Sequence, residues 1–330
     1  MEGDRRAREA LPMTLLLGRA DVERLLTPEV CIAAVENAFH RHALGETSPP
    51  GILGMHVGAG SFHVKAAGLD GAFAAKLNAN FPGNPARGLP TIQGVVIVSD
   101  AQDGRLLALM DSMAITALRT AAATAVAAKY LSREGSETLL ICGCGAQAPA
   151  QLAALLMVRS PKRVLAYDQD PVRAARLAGA TVVSNLAEAV GESDIVVTCT
   201  TARRYFVTRD MVRPGTFIAA VGADHEEKQE IEPQLMARAK VVTDLTEQAV
   251  AIGDLHHAID AGVMSRDDVH AQLSEVVAGR KPGRARDDEI TIFDSTGTGL
   301  QDAAAAVAVY RRASQERSGR TFDFSGGNPA

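Results

Sequence analysis

The residues whose spacing most directly implies chemistry are Gly143-Cys144-Gly145-Ala146-Gln147-Ala148, a G-x-G-x-x-A run. It follows an apolar stretch at 138–142 and opens a helical pattern at 147–158, so it sits where a buried strand turns into a helix. There Gly143 permits the tight turn, Gly145 lets a pyrophosphate approach the backbone, and Ala148 lets helix and strand pack closely. Ala146 and Gln147 lie at the helix N-terminus, whose free N–H groups favour phosphate. Pro149 suits the first helical turn, where its missing N–H costs nothing. The next apolar stretch ends at Tyr167-Asp168, where a carboxylate holds ribose hydroxyls and repels a 2′-phosphate; Asp170 follows, with no arginine adjacent. Alone, such a run is a Gly-rich turn beside a surface carboxylate. In its strand–turn–helix setting it reads as a dinucleotide site, with NAD as the expected cofactor.

Positioning that site requires alternating strands and helices. Stretches 138–142, 163–167, 180–183, 195–199, 216–221, 240–243 and 290–293 read as strands, and 147–158, 171–178 and 232–239 as helices. Upstream, 21–42 has helical periodicity, Pro49-Pro50-Gly51 breaks the chain, 62–65, 72–77 and 92–98 read as antiparallel strands, and 111–130 as an Ala-rich helix. A polar connection at 279–288 and a helix at 301–313 follow, with no short-period repeat and low complexity only at 325–330. The expected class is α/β: a doubly wound parallel Rossmann domain (131–294) inserted into a second α+β substrate and dimerisation domain (1–130 and 295–330).

With no Trp, 4% aromatics and 47% hydrophobic residues, the core must be built from Ala, Val, Leu and Ile, as in parallel α/β sheets. A net charge of −5 lacks the footprint of a nucleic-acid binder, and no run approaches the length of a membrane span. Cys31, Cys142, Cys144 and Cys199 form no C-x-x-C pair and the histidines complete no ligand pattern, so no metal is expected; small-residue packing and a reducing cytoplasm fit them. Residues 1–12 read as a loose charged extension. Arg5 and Arg6 ahead of 11–17 mimic a secretory signal, but the apolar stretch is short, contains Thr14 and lacks a cleavage site. A cytoplasmic location is expected.

Four further segments carry a family resemblance: 76–85 (KLNANFPGNP), 115–120 (ITALRT), 222–224 (GAD) and 293–297 (FDSTG). With the glycine run they resemble, in the same order and from about 21 to 313, the ornithine cyclodeaminase/μ-crystallin family. Its members include cyclodeaminases, alanine dehydrogenases and imine or cyclic-ketimine reductases. The resemblance implies that Lys76 is the active-site lysine, that Arg119 binds the substrate carboxylate, and that Asp224 is the acid/base near the reacting nitrogen. It also implies that Thr120, Ser295 and Gly297 lie near the cofactor and that the protein is a homodimer. The chemistry agrees: a carboxylate is best held by a planar arginine fork plus a lysine, and hydride transfer to an imine carbon needs a proton for nitrogen. Singly, Lys76 would read as a strand-edge lysine, Arg119 as a helix-surface charge and Asp224 as a turn residue; their joint occurrence reverses that.

One departure bears on activity. Cyclodeaminases of the family carry Glu-x-Met on the strand before the active-site lysine, where a gapless count places His63-Val64-Lys65; the arginine often found after a proline is replaced by Gly51 after Pro50. His63 and Lys65 share a strand face and would repel ornithine's terminal ammonium, welcoming an anion or carbonyl. The expected activity is NADH-dependent reduction of an α-imino or ketimine acid, or the reverse dehydrogenation, with Arg119, Lys76, His63 and Lys65 binding substrate. Ornithine cyclisation to proline and ammonia is the rival enzyme reading. Non-catalytic binding of a cofactor or small ligand is the rival of another class.

Overall fold

A computed structural model describes residues 13–324. Eight parallel strands form one sheet in the order Ala271–Gln272, Lys240–Thr243, Thr291–Asp294, Phe217–Ala220, Ile195–Thr198, Thr138–Cys142, Arg163–Tyr167 and Thr181–Val182. Four of them, Thr138–Cys142, Ile195–Thr198, Phe217–Ala220 and Thr291–Asp294, are buried at every residue, which is why they read as continuous apolar runs rather than alternating ones. From Thr138–Cys142 the chain builds outward through Arg163–Tyr167, then crosses back to Ile195–Thr198. The strand order therefore reverses beside the glycine run, the place where doubly wound sheets bind ligands.

The second sheet has the order Arg320–Phe322, Thr14–Leu17, Leu106–Asp111, Ile92–Asp100, Ala72–Asn80, Gly60–Leu69 and Gly51–Val57. It is mixed rather than wholly antiparallel, because Thr14–Leu17 runs parallel to Leu106–Asp111. Gly51–Val57 escaped sequence reading because it is an edge strand, exposed at every residue and interrupted by glycine. The next two strands of the sheet, Gly60–Leu69 and Ala72–Asn80, are longer than their alternating patterns suggested and are joined by the two-residue turn Asp70-Gly71. Both turn residues have positive φ, 57° and 76°, as a hairpin turn matched to strand twist demands. This turn sets the register and places Lys65 directly opposite Lys76.

The helix Ser112–Leu131 lies between the two sheets, touching strands of both. Asp111 caps it, its side chain accepting from the Ala114 amide at 2.9 Å. Alanines on most of its faces allow close approach on all sides, which meets the absence of Trp in the core. The helix Gly299–Glu316 starts earlier and runs later than the 301–313 pattern and packs on Gly60–Leu69 and Ala72–Asn80. The single helix expected at 21–42 is two, Arg19–Leu25 and Pro28–Ala43, because Pro28 cannot continue a helix but suits the start of one. Likewise only Pro171–Ala174 of 171–178 is helical, and Leu186–Glu192, Thr246–Ile252 and Asp254–Asp260 are helices with no sequence forecast. The readings on 1–12 and 325–330 lie outside the described residues. Among the described residues no helix is long and apolar enough to cross a membrane.

Candidate active site

Lys76 and Lys65 point from adjacent strands toward the helical layer. Like charges directly opposite repel, and each is met differently. Lys76 is 4% exposed and its Nζ donates to Asp302 Oδ1 at 2.8 Å and to Thr116 Oγ1 at 3.3 Å. Lys65 Nζ donates to the carbonyls of Thr296 and Gly297 at 3.1 and 2.6 Å, so it fastens the 295–297 loop. Arg119, from the central helix, is also buried; its Nε donates to the same Asp302 oxygen at 2.8 Å and its Nη1 to Gln301 Oε1 at 2.8 Å. No protein hydrogen bond engages its Nη2 among the described residues. Gly297 passes so close to this guanidinium that a Cβ there would sit 2.5 Å from Nη1.

Burial pushes the Lys76 ammonium down to about 7; Asp302 opposes the shift and Arg119 and Lys65 add to it. Asp302 stays below the ordinary carboxylate range because, against its burial, Lys76 and Arg119 favour the charged form. One oxygen of Asp302, Oδ2, is buried without a partner. The centre is thus two cations sharing one carboxylate, with donor capacity left over at Arg119 Nη2.

Asp224 stands in the loop after Phe217–Ala220, within electrostatic reach of Lys65 and Arg119. Its carboxylate is 54% exposed and accepts from Lys228 Nζ at 2.6 Å. Desolvation acts to raise its pKa, but Lys228, then Lys65 and Arg119, outweigh it and hold the group ionised; the open side of the cleft mutes each effect. His63 faces the same side as Lys65 and pairs with Ser61 Oγ at 3.0 Å.

The glycine run forms the expected turn. Gly143 has φ +92°, and a Cβ there would lie 2.6 Å from Thr200 Cγ2 and 2.9 Å from the Cys199 carbonyl. Gly145 faces open space, with nothing within 4 Å of a Cβ position. Ala146 is exposed and the side-chain oxygen of Gln147 is buried without a partner. Asp168 stands at the strand end and accepts from the amides of Cys144 and Asp170 at 2.8 and 2.9 Å. The bond from the Cys144 amide brings Asp168 against the turn that carries Gly143, Gly145, Ala146 and Gln147. Thr120 is spent on its own helix, its hydroxyl donating to the Thr116 carbonyl at 2.7 Å. Ser295 is buried at the end of Thr291–Asp294, its hydroxyl without a partner.

The pattern of the ornithine cyclodeaminase/mu-crystallin family matches residues 13–317. The chain belongs to that family. It is 39% identical over 317 residues to the alanine dehydrogenase of Archaeoglobus fulgidus, covering 94% of this chain and 98% of that one. The solved Delta(1)-pyrroline-2-carboxylate reductase of Thermococcus litoralis, in complex with NADH and L-proline, superposes with a TM-score of 0.90 at 34% identity, covering 94% of this chain and all of that one. The iminosuccinate reductase of Paracoccus denitrificans in complex with NAD+ superposes with a TM-score of 0.88 at 33% identity, with coverage of 94% and 100%.

In this member of the ornithine cyclodeaminase/mu-crystallin family, sequence reasoning passed over the residues that hold the site together. Asp302 and Gln301 were absorbed into an Ala-rich helix, although a charge in its buried first turn was a usable signal. Asp244 follows the strand Lys240–Thr243 and accepts from Thr296 Oγ1 at 2.8 Å and the Gly297 amide at 2.7 Å, while Gln248 donates to Thr296 Oγ1 and the Gly297 carbonyl. Glu230, fully buried, accepts from Thr198 Oγ1, Thr200 Oγ1 and the amides of Thr200 and Gly222, all within 2.7–2.8 Å. It ties the loop that walls Gly143 to the loop that carries Asp224.

Proposed function

We propose that the protein is an NADH-dependent oxidoreductase that reduces an α-imino or ketimine acid to the α-amino acid, or runs the reverse dehydrogenation. The observation that carries this reading is the convergence of Arg119 and Lys76 on one carboxylate oxygen across the cleft from an ionised Asp224. Family relatives named as alanine dehydrogenase, pyrroline-2-carboxylate reductase and iminosuccinate reductase support the same C–N chemistry.

The crevice fits a dinucleotide. The open space over Gly145, the turn at Gly143 and the amides from Ala146 onward suit a pyrophosphate, and the Asp168 lone pairs left by its two amide bonds suit ribose hydroxyls. Ser295, Gly297 and Thr120 belong to the nicotinamide end of this assignment. When bound, NADH supplies a hydride to the imine carbon. Arg119 Nη2 and Lys76 then bind and orient the substrate carboxylate. Asp224, being ionised, accepts a hydrogen bond from the protonated imine, the form that takes hydride most readily, while the C=N pair moves onto nitrogen. This makes Asp224 an electrostatic partner of the protonated nitrogen in reduction and a proton acceptor from the ammonium in the reverse dehydrogenation; Lys76, poised near 7, is the group able to exchange a proton at neutral pH. Residues 131–294 serve the cofactor, and 1–130 with 295–330 serve substrate and dimerisation.

A second copy of the chain is the partner assigned to the uncovered sheet face. Leu53, Leu77 and Val95 form one cross-strand row there and are 60%, 42% and 37% exposed, with Met55 and Phe73 beside them. Only the outward half of 92–98 contributes, since Val96 and Val98 are buried against the helices. The archaeal alanine dehydrogenase with bound NAD is a dimer. The four free cysteines suit a reducing cytoplasm.

The test is NADH oxidation with pyrroline-2-carboxylate, piperideine-2-carboxylate and keto acids plus ammonia, alongside NAD plus ornithine. Turnover of an imine with no proline from ornithine is expected. Proline and ammonia from ornithine would restore the cyclodeaminase reading, and cofactor binding without turnover the non-catalytic one.

A further inference from the structure

Asp224 sits in a short loop that leaves the sheet after Phe217–Ala220 and ends in the strand Gln229–Ile231. Within the loop the backbone bonds are local: the Asp224 amide donates to the Gly222 carbonyl at 3.0 Å, and the Lys228 amide to the His225 carbonyl at 2.9 Å. Glu230 holds the entry of the loop at the Gly222 amide. The exit is held by the Ala202 carbonyl, which accepts from the Gln229 amide at 3.0 Å, and by the helix Asp254–Asp260. Asp254 Oδ1 accepts from the amides of Glu230 and Ile231 at 2.8 and 2.9 Å. One turn on, on the same helix face, His257 Nε2 donates to the Lys228 carbonyl at 2.9 Å. A carbonyl only accepts, so Nε2 carries the hydrogen, as it does in one neutral tautomer and in the cation. The helix is itself fixed by Asp294, which accepts from the amides of Asp254 and Leu255 at 3.3 and 2.9 Å. Asp294 ends the strand Thr291–Asp294 and precedes Ser295. The helix is thus a bracket between the 295–297 loop and the loop of Asp224.

We propose that His257 is a positioning residue for Asp224, acting through the backbone of Lys228. The proposal rests on the reductase reading above, in which an ionised Asp224 meets the substrate nitrogen. Lys228 Nζ donates to Asp224 Oδ1 at 2.6 Å from four residues further along the chain. An ammonium rides on a flexible stem, so the point at which its backbone is held decides how squarely it meets the carboxylate. Asp224 also faces Lys65 and His63 from the strand Gly60–Leu69 and Arg119 from the central helix, with His225 beside it. Burial favours the neutral acid, and Lys228 is the cation that opposes it most. Without the His257 bond the Lys228 carbonyl loses that donor and the ammonium drifts off the carboxylate. Asp224 then takes up a proton at higher pH, and the ionised fraction that serves the nitrogen falls.

The experiment follows kcat/KM against pH for NADH oxidation with pyrroline-2-carboxylate and with pyruvate plus ammonium, on the full chain and on His257→Leu, His257→Gln and Lys228→Met. His257→Leu keeps the bulk and removes the donor. It is expected to lower kcat/KM by about 10-fold at neutral pH, the worth of one hydrogen bond. The acidic limb of the profile, which reports the free enzyme, should move up by about one pH unit. NADH Kd should stay within about twofold, because the dinucleotide turn is untouched. His257→Gln, whose amide reaches the same carbonyl, is expected to recover most of both losses. Lys228→Met should move the limb at least as far, and adding His257→Leu to it should move it no further, since the two act by one route. An acidic limb unmoved in His257→Leu, or a loss that His257→Gln does not recover, overturns the proposal. The Asp224 titration, read by NMR of its isotope-labelled carboxyl carbon and assigned with Asp224→Asn, decides the placement without turnover. A shift in His257→Leu supports it and no shift overturns it. Turnover of no imine by the native chain overturns the reductase reading, and the NMR arm still decides whether His257 places Asp224.

Discussion

Lys76 and Arg119 donate to the same oxygen of Asp302, each at 2.8 Å. The two cations come from a strand and a helix, and the carboxylate from a second helix far along the chain. A shared acceptor holds both donors at one point, so on the proposed reading a substrate carboxylate would meet a preorganised pair rather than two mobile side chains.

Arg119→Lys keeps the charge and removes the fork. It is expected to lower kcat/KM by about 100-fold, since up to two charge-assisted hydrogen bonds are lost or misdirected. Lys76→Met should do comparable damage. NADH affinity, read by fluorescence titration, should stay within about twofold because neither side chain belongs to the dinucleotide turn. Near wild-type turnover in either variant would place the carboxylate anchor elsewhere.

The pH profile follows from Lys76. Its charged form, the one proposed to bind the carboxylate, is populated below about 7, so kcat/KM for an imino acid should fall as pH rises through that value. Bound carboxylate favours the charged lysine, so the fall in kcat should come at higher pH than the fall in kcat/KM. Asp302→Asn removes the charge that raises the Lys76 pKa, and should move the fall to lower pH. It should also cost about 3 kcal/mol of stability by leaving buried cations uncompensated. A pH profile unchanged by the substitution would disconnect Asp302 from Lys76.

NADH should be preferred to NADPH by about 100-fold in kcat/KM, because the Asp168 carboxylate, proposed to hold the ribose hydroxyls, would repel a phosphate. Asp168→Ser should narrow that ratio, mostly by weakening NADH. Since the carboxylate also receives the Cys144 amide at 2.8 Å, some loss with both cofactors is expected. A native preference for NADPH would contradict the assignment.

Glu230→Gln keeps the shape and replaces one acceptor oxygen with a donor facing other donors. All four hydrogen bonds at Glu230 come from N–H or O–H groups, so at least one becomes a clash of donors. A stability loss of about 2 kcal/mol is expected, with a roughly 10-fold weaker NADH Kd as the wall at Thr200 moves off Gly143. Calorimetry and cofactor titration on the same preparation check both. Unchanged NADH binding would confine Glu230 to a folding role.

Leu77→Asp places a charge in the centre of the uncovered sheet face, in a row with Leu53 and Val95. Light scattering at micromolar concentration should give a dimer mass for the native chain and a monomer mass for the variant. A native monomer would refute the sheet-face dimer.

Local rules were enough for the dinucleotide turn and most of its sheet. Thr138–Cys142, Arg163–Tyr167 and Lys240–Thr243 have the bounds their apolar runs suggested, because buried parallel strands are marked by composition alone. A glycine run between strand and helix permits few conformations, and Gly143 adopts the positive φ that only glycine takes cheaply. The edge strand Gly51–Val57 and the short helices after 240 were not legible, since glycine and scattered polar residues erase the periodicity. Of the site, Lys76, Arg119 and Asp224 stood out through motif context, and the two-residue spacing of His63 and Lys65 already placed them on one strand face. What tertiary structure alone decided is the pairing of charges. Asp302, Gln301, Asp244 and Glu230 are ordinary polar residues along the chain, and a buried charge becomes meaningful only when a distant element supplies its partner at hydrogen-bond distance. Lys65 shows the same limit: its strand face was readable, but its attachment to the carbonyls of Thr296 and Gly297 depends on how the two ends of the chain meet across the sheet.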